Sequence, residues 1–299
     1  MKQEKIIAYK GLDENFKCRG FQFEVGKEYE EEVAVCCNKG FHACENPMNV
    51  WNYYDVTNSR YAIVEQSGKI DKRNNKICSS KIKIKAELKF AEFIKLCVDT
   101  VIEKCKAKSN NDLTDNGGDN AQIGSSGYNA QIGSSGYYAQ IGSSGDYAQI
   151  GSSGDYAQIG SSGDNSQIGS SGYYAQIGSS GDYAQIGSSG DSAQIGSSGY
   201  YAQIGSSGDY AQIGSSGDSA RIGSSGDSAR IKSEGQNAVI MCAGSQSMAR
   251  AKKGSWITLA EYDSTNKPIC VKTEQVDGER IKEDTWYRLV DGEFKEIKL

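Results

Sequence analysis

The chain has 299 residues and a formal net charge of −5, enough length for one large domain or two to three small ones. It holds no apolar run of about 18 residues, which argues against a membrane-spanning helix. Its first residues, "MKQEKIIAYKG", lack the apolar stretch of a signal peptide, so we expect a cytoplasmic protein.

Positions 1–108 predict a small α+β domain. Alternating apolar and polar residues in "RYAIVEQSGKI" and "CSSKIKIKAEL" predict strands. Apolar residues three to four apart in "FAEFIKLCVDTVIEKC", residues 90–105, predict an amphipathic helix. We expect this helix to cap the segment that follows, after a linker at residues 109–117.

A nine-residue repeat fills residues 118–252. Isoleucine recurs every nine residues from Ile123 to Ile240, which gives 14 units with the consensus G-[D/Y]-[Y/S/N]-A-[Q/R]-I-G-S-S. Gly/Ser-rich sequence is also typical of flexible linkers, but a linker has no reason to keep isoleucine in register. Alanine precedes isoleucine by two residues, as in Ala148 and Ile150, so both side chains share one face of a strand.

The pattern therefore predicts "A-Q-I" as a strand and "G-S-S-G-D" as a turn whose glycines adopt positive φ. Glutamine then points outward and forms a ladder of amide hydrogen bonds. Two units per coil give a flat roll of seven coils, about 34 Å long. Three units give a larger triangular coil, an alternative suggested by variants that recur after residue 172. We favour two units.

The last segment, residues 253–299, predicts a small β module of three or four strands. Its strand patterns are "SWITLAEYD", "ICVKTEQVDGERI" and "TWYRLVDGEFKEIKL". Because the open end of a stacked sheet is a bare strand edge, we expect this module to close the roll. The predicted fold is therefore mainly β: a parallel β-solenoid between a small N-terminal α+β domain and a small C-terminal β module.

The flanking segments resemble a known domain group. "AYKGLDENFKCRGFQFEVGKEYE" followed by "GFHACENPMNVWNYY" resembles an uncharacterised domain of phage and prophage proteins. In that group short repeats and a closing segment similar to "KGSWITLAEYD" often follow. The resemblance implies a phage or prophage origin, a location in the cytoplasm of an infected or lysogenic bacterial cell, and no known activity.

A second likeness concerns the order of "YKG", "GFHACENPMNVWNYY" and "RYAIVEQSGKI". This order is similar to the order of sequence motifs in small ADP-ribosyltransferase-like folds that bind NAD. The likeness implies that Tyr9, His42 and Tyr53 occupy site positions of such an enzyme. The catalytic glutamate of that family cannot be placed in this sequence.

Cysteine and histidine cluster in "CCNKGFHAC", where Cys37, His42 and Cys44 are candidate metal ligands. Their spacing matches no common zinc pattern, and a reduced, buried patch explains the cluster equally well. The odd total of nine cysteines also indicates free thiols. The turns resemble calcium-binding nonapeptide rolls only in period, because each unit holds at most one aspartate. We expect no cofactor.

The repeat tract has an acidic surface rich in tyrosine. Residues 118–234 hold 3 Lys or Arg against 10 Asp or Glu, which argues against direct binding of nucleic-acid phosphates. Exposed tyrosine and aspartate are typical of protein-binding surfaces, although the tyrosines could instead stack on one another. The candidate binding residues are Asp146, Tyr147, Asp155, Tyr156, Asp182, Tyr183, Asp191 and Tyr210.

Three function classes remain. The favoured hypothesis is a non-catalytic protein that binds and inhibits a host protein or ribonucleoprotein complex, such as a defence nuclease of the CRISPR type. The first alternative is an ADP-ribosyltransferase-like enzyme carried by the N-terminal domain. The second is a structural or virion component, which would self-assemble. The binding hypothesis is favoured because no catalytic set can be assembled from the sequence.

Overall fold

A computed structural model describes residues 5–106, 113–115 and 118–298. It is mainly β, with 46% strand and 8% helix, and contains a β-solenoid plus small N-terminal and C-terminal modules, which confirms the predicted fold class. The chain divides into two compact units, Met1–Thr100 and Val101–Leu299. Most of the predicted linker at 109–117 lies outside the described residues. None of the helices in the described part has the length and apolar character that a membrane crossing requires.

The first unit is built on one antiparallel sheet, sheet A. Its elements are β1 Ile6–Leu12, β2 Lys17–Cys18, β3 Phe21–Gln22, β4 Glu28–Glu30, β5 Phe41–Ala43, a 3-10 helix Pro47–Asn52, β6 Arg60–Arg73, β7 Lys76–Leu88 and the start of α1 Phe90–Lys106. Sheet A has the order β1-β6-β7-β4, and β5 also pairs with β7. The long β6–β7 hairpin therefore holds every other strand of the sheet. Strands β2 and β3 form a separate short hairpin.

The core of the first unit is aromatic. Phe23, Tyr29 and Phe41 meet with ring centroids 5.3 to 6.4 Å apart, mostly edge to face. Tyr61 stacks on Phe93 of α1 at 3.8 Å. Phe93, Ile94, Cys97 and Val98 of α1 are fully buried, which confirms the helix and its predicted apolar face.

The second unit contains two parallel ladders, sheets B and C. Sheet B consists of β8 Leu113–Asp115, β10 Gln131–Ser134, β12 Gln149–Ser152, β14 Gln167–Ser170, β16 Gln185–Ser188, β18 Gln203–Ser206, β20 Arg221–Ser224, β22 Val239–Cys242, β24 Trp256–Tyr262 and β25 Pro268–Gln275. Sheet C consists of β9 Gln122–Ser125, β11 Gln140–Ser143, β13 Gln158–Ser161, β15 Gln176–Ser179, β17 Gln194–Ser197, β19 Gln212–Ser215, β21 Arg230–Ser233, β23 Met248–Arg250, β26 Trp286–Val290 and β27 Glu293–Ile297.

Strand pairing fixes two units per coil. Ile159 of β13 pairs with Ile177 of β15, the second isoleucine after it, and the intervening Ile168 lies in sheet B. All 14 register isoleucines point between the sheets and are 0 to 4% exposed. The solenoid has about 8 turns over residues 122–259, one more than predicted, because β23 and β24 continue the ladders after the isoleucine register ends.

The predicted strand and turn boundaries were wrong. The strand is Q-I-G-S and the alanine closes the turn before it, so "A-Q-I" was placed about one residue too early. The repeat glycines do not adopt positive φ. The residue two positions before each strand does, for example Tyr156 at 57° and Asn165 at 55°.

The corner glycines are needed because the coils approach closely there. A Cβ built on Gly181 would lie 2.0 Å from the carbonyl oxygen of Gly163, one coil earlier, and the same holds at each corner. No side chain fits at that distance, so close stacking and not left-handed backbone requires glycine at the corners.

The predicted C-terminal β module is present, and its strands end the ladders by antiparallel pairing. Strand β25 pairs with β24, and β27 with β26. The edge strand β25 begins with Pro268 and exposes Lys272, features that discourage further strand addition. We infer that this arrangement protects the C-terminal end of the solenoid from edge-to-edge association.

Candidate functional site

One cleft in the first unit brings together the three positions carried over from the ADP-ribosyltransferase likeness. Tyr9 of β1, His42 of β5 and Tyr53 after the 3-10 helix all line a cleft of about 810 Å³. Strand β1 contacts the segment after β5 through paired backbone hydrogen bonds between Tyr9 and Cys44, at 2.8 and 2.9 Å. These bonds hold Tyr9 and His42 on neighbouring segments.

Lys10 is the most buried cation of the cleft. It is 4% exposed, its Nζ donates to the carbonyl oxygen of His42 at 2.9 Å, and the ammonium lies 5.2 Å from the Phe23 ring centroid. Burial lowers the pKa of Lys10. Sequence reasoning missed this residue, because a lysine in an alternating strand normally faces solvent.

Further cations surround the opening of the cleft. Lys76 Nζ lies 3.8 Å from the centre of the Tyr53 ring, and Lys17, Arg19 and Lys39 also line the cleft. The carboxylates in the lining are Asp13 and Glu31, and Glu31 pairs with Lys39 at 3.5 Å. The cleft is therefore cationic and aromatic, a combination that suits an anionic ligand with a ring.

His42 is held as a neutral imidazole. Its Nε2 accepts the backbone N–H of Cys37 at 2.9 Å, so Nδ1 carries the proton that it shares with the carbonyl oxygen of Gly40 at 3.1 Å. Burial, with the nearby charge of Lys10, lowers the pKa of His42. Burial raises the pKa of the Cys44 thiol to about 12, which keeps the thiol protonated at neutral pH and makes it a poor nucleophile.

The candidate metal set Cys37, His42 and Cys44 does not form one cluster. The ligand atoms that converge within 4.8 Å are those of Cys36, His42 and Cys78. Both thiols donate to carbonyl oxygens, Cys36 to Asp71 and Cys78 to Lys39, each at 3.2 Å. With both ring nitrogens of His42 engaged as well, the geometry matches a reduced, hydrogen-bonded patch. All nine cysteines are free, and six of them are buried.

The predicted solenoid surface is divided between two edges of the roll. Turns that lead from sheet B into sheet C form edge 1, and turns that lead from sheet C into sheet B form edge 2. Edge 1 carries Asp155, Tyr156, Asp191 and Tyr210. Edge 2 carries Asp146, Tyr147, Asp182 and Tyr183. A partner contacts all eight residues only if it lies across a face of the roll.

The aspartates cap the next coil. Asp146 Oδ1 accepts the backbone N–H of Asp164 at 2.9 Å, and Asp155 Oδ1 accepts that of Tyr173 at 2.8 Å, in each case one coil further on. The same bond recurs along both edges, at Asp164, Asp182, Asp191, Asp209, Asp218 and Asp227. The aspartates therefore stabilise the stack in addition to making the edges acidic.

The tyrosines both stack and remain exposed. On edge 1, Tyr138, Tyr156 and Tyr174 stack at 4.9 and 5.1 Å, and on edge 2 Tyr183 stacks on Tyr201 at 5.1 Å. Tyrosines of the repeat keep exposed fractions of 37 to 68%. The stacking fixes the rings, and their outer surface remains available for contact.

The outer face of sheet B holds a groove that sequence reasoning missed. Between the two edges the outward residues of each strand are a glutamine and a glycine, which leave a groove of about 1300 Å³. We call this the glycine groove; its floor consists of Gly133, Gly151, Gly169, Gly187, Gly205 and Gly223. Met241 and Val239 end it. Alternation of Gln and Gly around each isoleucine was the signal in the sequence.

On sheet C the outward glutamines form the predicted amide ladder. Gln122 donates to Gln140, Gln140 to Gln158 and Gln158 to Gln176, at 2.9 to 3.3 Å, and the ladder continues to Gln194. Each bond links neighbouring coils and stabilises the stack.

Residues 6–96 match a domain of unknown function, DUF7666. The match indicates an uncharacterised domain family in the N-terminal region. Comparison with curated proteins and with solved structures gave no significant match.

Proposed function

We propose that the chain is a non-catalytic binding protein of phage or prophage origin that inhibits a host complex through its solenoid. The target is a complex with a basic protein surface, such as a defence nuclease. The observation that carries the proposal is the pair of ordered edges, on which exposed tyrosines and aspartates recur in fixed register from coil to coil.

The physical argument is one of preorganisation. Tyrosine contributes a large contact area and has few rotatable bonds, and stacking already fixes the rings before a partner arrives. The acidic excess of the repeat tract accelerates association with a basic surface, and salt screens this attraction. Regular spacing allows several weak contacts to form together.

The test is purification of the tagged full-length protein from a bacterial host, followed by mass spectrometry. We expect a partner at constant stoichiometry that is lost when Tyr147, Tyr156 and Tyr183 are changed to alanine. Changing Asp146, Asp155, Asp182 and Asp191 to asparagine should weaken binding less, because it removes only a charge attraction that salt already screens. Asparagine keeps the oxygen that caps the next coil, so the stack should stay folded. A partner retained by both sets of variants would contradict the proposal.

A second candidate is an ADP-ribosyltransferase-like enzyme in the N-terminal unit. The cationic cleft that unites Tyr9, His42 and Tyr53 favours it. This candidate predicts calorimetric binding of NAD by the full-length protein and its loss in Tyr53→Ala. Slow release of nicotinamide would support an enzyme, and no binding of NAD or ADP-ribose would remove this candidate.

A further inference from the structure

The glycines of the glycine groove have no function inside the chain. None of them adopts positive φ, and no heavy atom of the described residues lies within 4 Å of a Cβ built on any of the six. Glycine weakens a strand by about 0.5–1 kcal/mol relative to alanine. Neither the backbone nor internal packing therefore requires glycine on this face, in contrast to the corners.

The equivalent position in sheet C shows what such a glycine permits. There the last residues of α1 lie directly on the strands: a Cβ on Gly142 would lie 2.8 Å from Ile102 Cα, and one on Gly124 would lie 2.7 Å from Cys105 Cβ. Cys105 Sγ also donates to the carbonyl oxygen of Gln140 at 3.3 Å. A helix backbone can therefore approach this repeat closely only because the outward residue is glycine.

The contact also gives the direction of the helix. Ile102 and Cys105 are three positions apart, a rise of about 4.5 Å, while Gly142 and Gly124 belong to adjacent coils about 4.8 Å apart. The last turn of the helix, which belongs to the second unit, thus runs along the solenoid axis with nearly one turn per coil. The helical pitch of about 5.4 Å slightly exceeds the coil spacing of about 4.8 Å, so the two repeats agree over neighbouring coils and drift apart slowly.

The glycine groove has the dimensions of a helix. A four-residue strand is about 13 Å long, and a helix with its side chains is about 10–12 Å wide. Six glycines span five coil steps, about 24 Å, which corresponds to about 16 helical residues. The floor ends at Met241, which is 56% exposed and limits the length of the occupant.

The charges around the groove define the occupant further. The outward residues from Gln131 to Gly205 are uncharged, and Arg221 lies near the end. Both edges that border this face carry rows of aspartate. These are Asp146, Asp164, Asp182 and Asp218 on edge 2, and Asp155, Asp191, Asp209 and Asp227 on edge 1. A complementary helix has small and apolar residues on its contact stripe and Lys or Arg on both flanks.

We propose that the glycine groove binds an amphipathic α-helix of a partner protein, laid along the solenoid with nearly one turn per coil. The apolar stripe of the helix contacts the glycines, and its basic flanks contact the aspartates of both edges. The proposal rests on the proposed binding function and names the element that is recognised. It also explains how residues on opposite edges contribute to one contact.

The probe is a fluorescent peptide with the 17-residue sequence of α1. In it Cys97 and Cys105 are replaced by alanine, and Glu92, Asp99 and Glu103 by lysine. We expect saturable binding of one peptide per full-length chain, measured by fluorescence anisotropy. Gly169→Val and Gly187→Val should each weaken binding at least tenfold, because valine occupies the place of the helix backbone. Gly187→Ser, with a smaller side chain, should give an intermediate loss.

The matched control is Thr258→Val, at an outward position of sheet B beyond Met241, which should leave binding unchanged. A peptide that keeps Glu92, Asp99 and Glu103 should bind at least fivefold more weakly at low salt, and high salt should remove the difference. Far-UV spectra and melting temperatures establish that the variants are folded. Absence of saturable binding, or equal binding by the valine variants, would overturn the proposal.

The same variants separate the groove from the broader function. If changes at the edge tyrosines remove the host partner while Gly169→Val and Gly187→Val retain it, the binding function stands and the groove assignment is wrong. If the edge variants also retain the partner, the binding function itself is wrong. Loss of the partner in the valine variants supports both the binding function and the groove assignment.

Discussion

The solenoid and the N-terminal unit are stabilised in opposite ways. In the solenoid one contact is repeated: each isoleucine meets the equivalent isoleucine one coil away. In the N-terminal unit each contact is made once, as where Gly11 lies under the Tyr54 ring or where Gln66 Nε2 donates to the carbonyl oxygen of Phe41 at 2.7 Å. The difference teaches that stability is distributed along the solenoid and concentrated at single sites in the other unit.

The largest expected effect is that of a charge inside the roll. Ile177 is fully buried, and Ile177→Asp should destabilise the solenoid by more than about 4 kcal/mol, because the carboxylate has no partner there. Gln185→Asp, at an exposed position of the next strand, is the control and should change stability little. Chemical unfolding monitored by far-UV circular dichroism measures both. Equal stability of the two variants would show that the isoleucine ladder is not the core.

A pair of glycine substitutions distinguishes the corners from the groove. Gly181→Ala should destabilise the solenoid by at least about 2 kcal/mol, because its Cβ would lie 2.0 Å from the carbonyl oxygen of Gly163. Gly187→Ala places a methyl group in open space and should raise stability by up to about 1 kcal/mol. Thermal unfolding measures both. The same sign for the two variants would contradict the assigned roles of the glycines.

Gly11→Ala tests the N-terminal unit. Its Cβ would lie 2.3 Å from Tyr54 Cγ, so we expect a loss of about 1–3 kcal/mol confined to the N-terminal unit. Hydrogen exchange measured by mass spectrometry should show faster exchange in β1 and β6 and unchanged exchange in β13 to β19. The double variant Gly11→Ala with Tyr54→Ala should recover part of the loss. Lack of any recovery would mean that the ring is not the source of the clash.

The sequence was most informative where it repeats. Strict spacing of isoleucine predicted the ladders and the inward face, because 14 copies of one pattern leave few alternatives. The same spacing fits two or three units per coil, and strand pairing confirmed the favoured two. The role of the corner glycines was predicted wrongly, because a glycine needed for close approach of two coils and a glycine needed for positive φ look identical in sequence. In the N-terminal unit, Tyr9, His42 and Tyr53 were placed by resemblance. Buried Lys10 and the convergence of Cys36 with Cys78 depend on tertiary contacts that no local pattern encodes.

The smallest expected effect is the pH response of His42. Burial holds its folded pKa below the ordinary 6.5, so between that folded pKa and 6.5 the unfolded chain binds more protons. The contribution of His42 to stability is therefore complete above pH 6.5 and decreases as the pH falls through this window. Its proton resonance should titrate below 6.5 in an NMR experiment. His42→Gln should lose this part of the pH dependence of thermal unfolding, and a titration above 6.5 would contradict the assignment.

The most direct test of the architecture is a disulfide between coils, since the edges and the groove both depend on two units per coil. Both variants carry Cys37→Ser, which removes the exposed thiol. In the first variant cysteines replace Tyr156 and Tyr174, which are two repeat units apart. In the second variant they replace Tyr156 and Tyr183, which are three repeat units apart. The rings of Tyr156 and Tyr174 lie 5.1 Å apart on one edge, whereas Tyr183 lies on the other edge. Mild oxidation should therefore join the first pair and leave the second pair reduced, as peptide mapping would show. A disulfide between positions 156 and 183, with none between positions 156 and 174, would contradict the account.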